Sequence, residues 1–305
     1  MTTVPARRPA AGSAGRPTTP VVRIREADWN ATRPVRAREE DRRSMASVRV
    51  HRGDRGPATP VVRGRGRASG WLPPQHGAWA MLLLPVLAAV IVTGPHPLHL
   101  LLLGALLAAY PLSYFLLLAV KTGRLRRVRP QLTAYGVVAV LCAAPVLVAR
   151  PAVLAYAPLF GVLAAVNAGF AHRRRDRALV NDLAFVAQCG LLGFVVATVA
   201  EVPPAEVAGV TVVVLGYLVG TILYVKTMIR ERDSVRYRWA SWAYHGVAVV
   251  AAALWAPAPV AVVFAALLAR AALLPGRRVT PKRVGLVEMA GTLLVLAALA
   301  LSASG

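Results

Sequence analysis

The chain has 305 residues, of which 57% are hydrophobic, with a mean hydropathy of +0.55 and a formal charge of +23. That combination excludes an ordinary soluble domain, whose core could not hide so much apolar surface, and it fits membrane spans joined by basic loops. Its two cysteines, Cys142 and Cys189, lie in apolar runs with no Cys or His neighbour at ligand spacing, which argues against a disulfide framework, a metal site or a redox role.

Residues 1–70 hold 16 of the 36 basic residues and 6 of the 13 acidic ones, in a mixture of Pro, Gly, Ala, Thr and Arg. No apolar stripe recurs there, so the expectation is a disordered, Arg-rich cytoplasmic tail. A signal peptide is not expected, because the first strong apolar run begins near Trp79; an internal translation start at Met45 is an alternative reading of the same stretch. The tract Arg63-Gly64-Arg65-Gly66-Arg67 has the composition of segments that touch nucleic acid or anionic lipid. Charge runs are more often solvated, and no nucleic-acid partner is expected.

From residue 71 the chain is a succession of apolar runs near the ~20 residues that cross a bilayer. They cover residues 76–94, 98–118, 131–149, 152–170, 182–200, 207–226, 239–256, 258–274 and 284–302. The joints Gly94-Pro95-His96-Pro97, Arg150-Pro151 and Ala256-Pro257-Ala258-Pro259 each divide a run too long for one crossing, so they read as turns between helices. The predicted fold is all-α: a polytopic transmembrane bundle of about nine helices, occupying residues 71–305. Of the 20 basic residues in this region, 19 fall in the loops after helices 2, 4, 6 and 8 or beside them, and only Arg150 falls opposite. The positive-inside rule then puts the N-terminus in the cytoplasm and the C-terminus outside.

Polar residues within or bordering spans are the pointers to function in such a chain. Gln75, His76 and Trp79 enter helix 1. Asn167 and His172 end helix 4, and Asn181 and Asp182 open helix 5, with Gln188 on the face of Asn181. Asp182 suits equally a capping role at a helix start and membership of a site. On helix 6, Tyr217, Thr221 and Tyr224 form a hydroxyl stripe continued by Lys226 and Arg230, a face that suits a phosphate or carboxylate. The plainer reading of such residues is interfacial anchoring. Gly216 and Gly220 form a G-x-x-x-G pair for close helix approach. Arg238, Ser241 and His245 align on helix 7, where the imidazole suits a proton shuttle or a cross-helix hydrogen bond. Glu288 reads as a structural partner of Arg270 or Arg283, and His96 and His99 as interfacial. No P-loop, H-E-x-x-H or G-x-S-x-G motif is present.

Four blocks in order, Pro74-Gln75-His76-Gly77-Ala78-Trp79, Arg177-Ala178-Leu179-Val180-Asn181-Asp182-Leu183, Tyr224-Val225-Lys226-Thr227-Met228-Ile229-Arg230-Glu231 and Tyr244-His245, resemble the YwiC-like family of bacterial integral membrane proteins. The resemblance covers residues 71–300 and implies no particular activity. More distantly, nine helices with an internal N-terminus resemble the UbiA-type prenyltransferases, which bind an isoprenyl diphosphate through magnesium at a cytoplasmic site. Glu231 and Asp233 stand where that superfamily carries its second acidic motif, whereas the loop at its first motif reads Lys121-Thr122-Gly123-Arg124-Leu125-Arg126-Arg127, without a carboxylate. Losing one metal-binding cluster argues against ordinary magnesium-dependent transfer.

The expected site lies at the cytoplasmic border. It comprises Gln75, Trp79, Asn167, His172, Asn181, Gln188, Tyr224, Lys226, Arg230 and His245 around a small molecule, with His76 and Asp182 as acid and base if the protein is catalytic, and with no resident metal. The expected ligand is an isoprenoid, a lipid or another anionic small molecule, beside the bilayer itself. A transporter and a non-catalytic accessory subunit are the alternatives.

Overall fold

The structure is a computed structural model that describes residues 70–74, 76–277 and 279–304, without the His76 side chain. The tail of residues 1–69, Gln75 and Arg278 lie outside the described residues, and so does everything expected of them. Nine α-helices follow one another, and no strand occurs among the described residues. They are α1 (His76–Thr93), α2 (Pro97–Thr122), α3 (Leu125–Ala149), α4 (Ala157–His172), α5 (Leu179–Val199), α6 (Ala208–Val225), α7 (Val235–Trp255), α8 (Ala258–Leu273) and α9 (Pro281–Ala303). Short 3-10 segments, Pro151–Tyr156 and Pro204–Val207, lead into α4 and α6.

Among the described residues, six segments are long and apolar enough to cross a membrane: α2, α3, α4 with its leading turn, α5, α6 with the turns at both ends, and α9. Helices α1 and α8 are apolar but shorter, and α7 carries Arg236, Arg238 and His245 in its first three turns. Several helices outrun their apolar stretches at the basic end. Helix α3 begins at Leu125 rather than 131, α7 at Val235 rather than 239, and α2 continues to Thr122 rather than 118. Arg and Lys are good helix formers, so a hydropathy window marks where a helix meets lipid and not where it ends.

Local chemistry sets the ends. Gly123 closes α2 in the left-handed region at φ 67°, where a side chain would be strained. Ser234 and Thr280 cap α7 and α9 through their hydroxyls. At the start of α2, His96 Nδ1 accepts from the Leu98 N–H, and His99 Nδ1 accepts from the His96 N–H. His99 Nε2 also reaches the Val196 carbonyl of α5 at 3.2 Å, so this buried imidazole ties two helices together rather than resting at an interface.

Among the described residues, the two largest of four buried apolar clusters meet at α1. Leu84 and Ala88 of α1 pack with side chains from α5 to α9, including Val214, Leu218, Phe264 and Val295. Leu82, Val86 and Ala89 turn toward α2 and α5, with Leu102, Tyr110 and Val196. More than half of the apolar stretch of α5 and of α6 is buried (56% and 61%), against 6% for α3, so α5 and α6 are central and α3 is peripheral. An exposed apolar flank such as that of α3 suits lipid and not water.

Candidate functional site

The polar side chains gather toward one end of the bundle in two centres. The first lies where α5 begins and α6 ends. Helix α6 finishes in a single π turn, Lys226–Arg230, closed by the Glu231 N–H donating to the Lys226 carbonyl at 2.7 Å. Such a turn interrupts the regular α-helical ladder and recurs at functional sites. Lys226 is buried, and its Nζ lies 2.8 Å from Asp182 Oδ2 and donates to the Arg177 carbonyl at 2.8 Å. Asp182 therefore pairs with a cation rather than capping α5, whose N-cap, Ala178, has no side-chain hydrogen bond. Asn181 donates to the Asp176 carbonyl at 2.9 Å, and Asp176 in turn pairs with Lys121 at 2.7 Å. Partial burial pushes the Asp176 carboxyl up, but the Lys121 hydrogen bond and the charges of Lys121 and Arg177 outweigh it and hold the group below its usual value.

The second centre is deeper and joins α6, α7, α8 and α9. Arg270 Nη1 pairs with Glu288 Oε1. Glu288 is held by Thr221, whose hydroxyl donates to its Oε2 at 2.7 Å, while the Tyr217 hydroxyl donates to the Glu288 carbonyl at 2.9 Å. The guanidinium of Arg270 lies over the Tyr224 ring, 4.1 Å from its centroid. The hydroxyl stripe of α6 thus faces an ion pair inside the bundle. His245 stands ten residues into α7, about 15 Å along the axis. Its Nδ1 sits 2.7 Å from the Ser241 carbonyl, and its Nε2 faces Gly220, where a Cβ would come within 3.0 Å. The Tyr244 hydroxyl donates to the Gly216 carbonyl at 2.9 Å, so the G-x-x-x-G pair is the surface on which α7 rests.

The other expected residues are dispersed. Asn167 Nδ2 donates to Gln188 Oε1 at 2.9 Å, a separate α4–α5 bridge. The Trp79 ring packs edge-on against Tyr110, with centroids 4.7 Å apart. His172 and Arg230 are exposed. Beyond the end of α6, a pocket of about 620 Å³ opens between the α6–α7 and α8–α9 loops, lined by Arg232, Asp233, Arg238, Gly276, Val279 and Thr280. Arg232 is fastened there by Nε and Nη2, which donate to the Met228 carbonyl, with Nη2 also reaching the Val279 carbonyl.

Residues 72–197 match the family described as YwiC-like protein. The chain is also 30% identical over 225 residues to an uncharacterized protein of Haemophilus influenzae, covering 72% of this chain and 92% of that one. It is 29% identical over 242 residues to the uncharacterized protein YwiC of Bacillus subtilis, covering 75% and 97%. The chain belongs to the YwiC-like family. No solved structure matches it.

The matched region of this YwiC-like protein holds Lys121, Asn167, Asp176, Asn181, Asp182 and Gln188, while Lys226, Arg270 and Glu288 lie beyond it. Among the described residues, no group of three or more His, Cys, Asp or Glu side chains is arranged to hold a metal ion. Glu231 and Asp233, which stand where the prenyltransferase likeness places an acidic motif, belong to no such group. The pairing of Lys121 with Asp176 and the meeting of Arg232 and Arg238 at one pocket were missed in the sequence, where Arg238 was aligned with Ser241 and His245 instead. Both depend on which loops meet, and the only signal for them was a surplus of basic residues.

Proposed function

We propose that this multi-pass protein lies in the bacterial cytoplasmic membrane, N-terminus inside and C-terminus outside, and binds an amphipathic anion, a lipid or isoprenoid with an acidic head, at its cytoplasmic border. The observation that supports this best is the open pocket lined by Arg232 and Arg238 at the basic end of α6 and α7. Arg232 is held by its Nε and Nη2 on the backbone of Met228 and Val279, which leaves Nη1 uncommitted. A charge fixed in this way meets a phosphate or carboxylate at little cost in side-chain entropy. Thr280 adds a hydroxyl, and the exposed apolar flanks of the adjoining helices suit the hydrocarbon tail.

In this reading Lys226 and Asp182 fix the end of α6 against α5 and so hold the pocket's rim in place. Asp182 is an acid or base only if its pairing with Lys226 opens, and His76 at the start of α1 is the other group with that capacity. Orientation follows from the basic residues gathered at one end, with Arg150 and Glu201 paired at the other.

Two measurements test the proposal. Reporter fusions to the tail and after residue 305 should report opposite sides of the membrane, and the same side would contradict the topology. Anionic phospholipid added to the purified protein in a neutral detergent should raise its Tm, where a choline lipid does not. The double variant Arg232→Gln/Arg238→Gln should lose that response; equal protection of parent and variant would remove the pocket from the account.

A further inference from the structure

The deep centre carries an observation that its structural role does not use. Arg270 has a side chain only 8% exposed, and its pairing with Glu288 occupies Nη1 alone. The other edge of the guanidinium, Nε and Nη2, is buried with no hydrogen-bond partner. Those two groups point in parallel and form the fork that grips two oxygens of one carboxylate or phosphate. The fork is held still, since the Tyr224 ring lies against the face of the guanidinium while Glu288, fixed by Thr221, holds the opposite edge.

Two further buried atoms in the same group of helices are unpartnered: the Tyr224 hydroxyl and His245 Nε2. With Nδ1 of His245 donating to the Ser241 carbonyl, Nε2 is left as an acceptor. The centre therefore offers the Arg270 fork and a phenol as donors, and an imidazole lone pair as acceptor. An acid with two oxygens, one able to carry a proton, matches that set. Buried donors of this kind are seldom left without partners in folded proteins, which makes a ligand the economical explanation for three residues at once.

We propose that the Nε/Nη2 edge of Arg270, with the Tyr224 hydroxyl and His245 Nε2, binds one carboxylate or phosphate group inside the α6–α9 half of the bundle, a site distinct from the border pocket. Its occupant is a small oxyanion, free or carried on a larger molecule.

The test uses purified full-length protein in neutral detergent, with Tm followed against sodium acetate or sodium phosphate and sodium chloride at matched ionic strength as the reference. At least one of the two oxyanions should raise Tm saturably where chloride does not. Arg270→Lys keeps a cation for Glu288 but removes the fork, and should weaken the effect at least about tenfold. Tyr224→Phe should weaken it several-fold, and it decides the matter if the lysine variant does not fold. Each titration is therefore made in the Arg232→Gln/Arg238→Gln background, which removes the border pocket's own affinity for small oxyanions, so the response that remains reports the deep site alone and the two proposals fail independently. Protection by neither anion would show that only water meets the fork and would overturn the proposal. So would protection that stays undiminished when Arg270→Lys or Tyr224→Phe is added to that background.

Discussion

Two ion pairs at the basic end of this bundle make the useful comparison. Lys226 and Asp182 have side chains 6% and 26% exposed, and Arg270 and Glu288 have 8% and 12%. Lys226 finds acceptors in Asp182 and the Arg177 carbonyl, and its carboxylate partner keeps a view of solvent. Arg270 sits deeper, spends one nitrogen on Glu288 and keeps two without partners. The first pair is complete and reads as a clasp between α5 and α6. The second is incomplete, and incompleteness in a buried cation is a better pointer to a ligand than charge itself.

The sharpest way to break this contrast is Glu288→Ala, which strands the Arg270 charge inside the bundle. It should lower stability by about 3–5 kcal/mol, read from Tm in detergent, while Arg270→Met/Glu288→Leu should recover much of the loss. Gly220→Ala comes next, because the new Cβ would meet His245 Nε2 at 3.0 Å and the Tyr244 ring at 3.3 Å. The crowding should cost about 1–3 kcal/mol, and Gly161→Ala, with nothing near its Cβ, is the control. Lys226→Ala leaves an Asp182 that water can reach, so the loss should be nearer 1–2 kcal/mol and clearly below that of Glu288→Ala. A larger loss than Glu288→Ala would reverse the ranking of the two centres.

The smallest effect belongs to Lys121 and Asp176, both 37% exposed, where Lys121→Ala should cost less than about 1 kcal/mol. Its sign with pH is fixed. The Asp176 carboxyl is held below its usual value in the folded state, so the contribution is present above the unfolded value of about 3.9 and fades as pH falls through the lower, folded one. Parent and Lys121→Ala should therefore differ at pH 7 and converge in acid; a gap that widens in acid would contradict the assignment.

Much of the fold was legible because bilayer thickness imposes a length and the Pro joints mark the turns, so the nine helices stand where nine apolar runs were read. The helix ends at Leu125 and Val235 were not legible, since basic residues extend helices without raising hydropathy. Within the site, the alignment of Tyr217, Thr221 and Tyr224 was readable from spacing, but their partner was not. Facing Glu288 depends on α9 lying beside α6, which no local pattern encodes. The pairing of Glu288 with Arg270 was anticipated between two candidates, while its unused donors could be seen only in three dimensions. Asn181 and Gln188 share a helix face yet find different partners, because Asn181 in the first turn of α5 reaches the backbone of the preceding loop at Asp176 while Gln188, two turns deeper, meets Asn167 of α4.

The proposed function requires an acidic head group to meet Arg232 and Arg238 at the basic end of the bundle. Equilibrium binding of a single-chain phospholipid with a phosphate monoester head, compared between the parent and Arg232→Gln/Arg238→Gln in neutral detergent, tests it most directly. The parent should bind at least about tenfold more tightly than the variant, and the difference should shrink with added salt. Equal affinity in the two proteins, or equal affinity for a choline head, would contradict it.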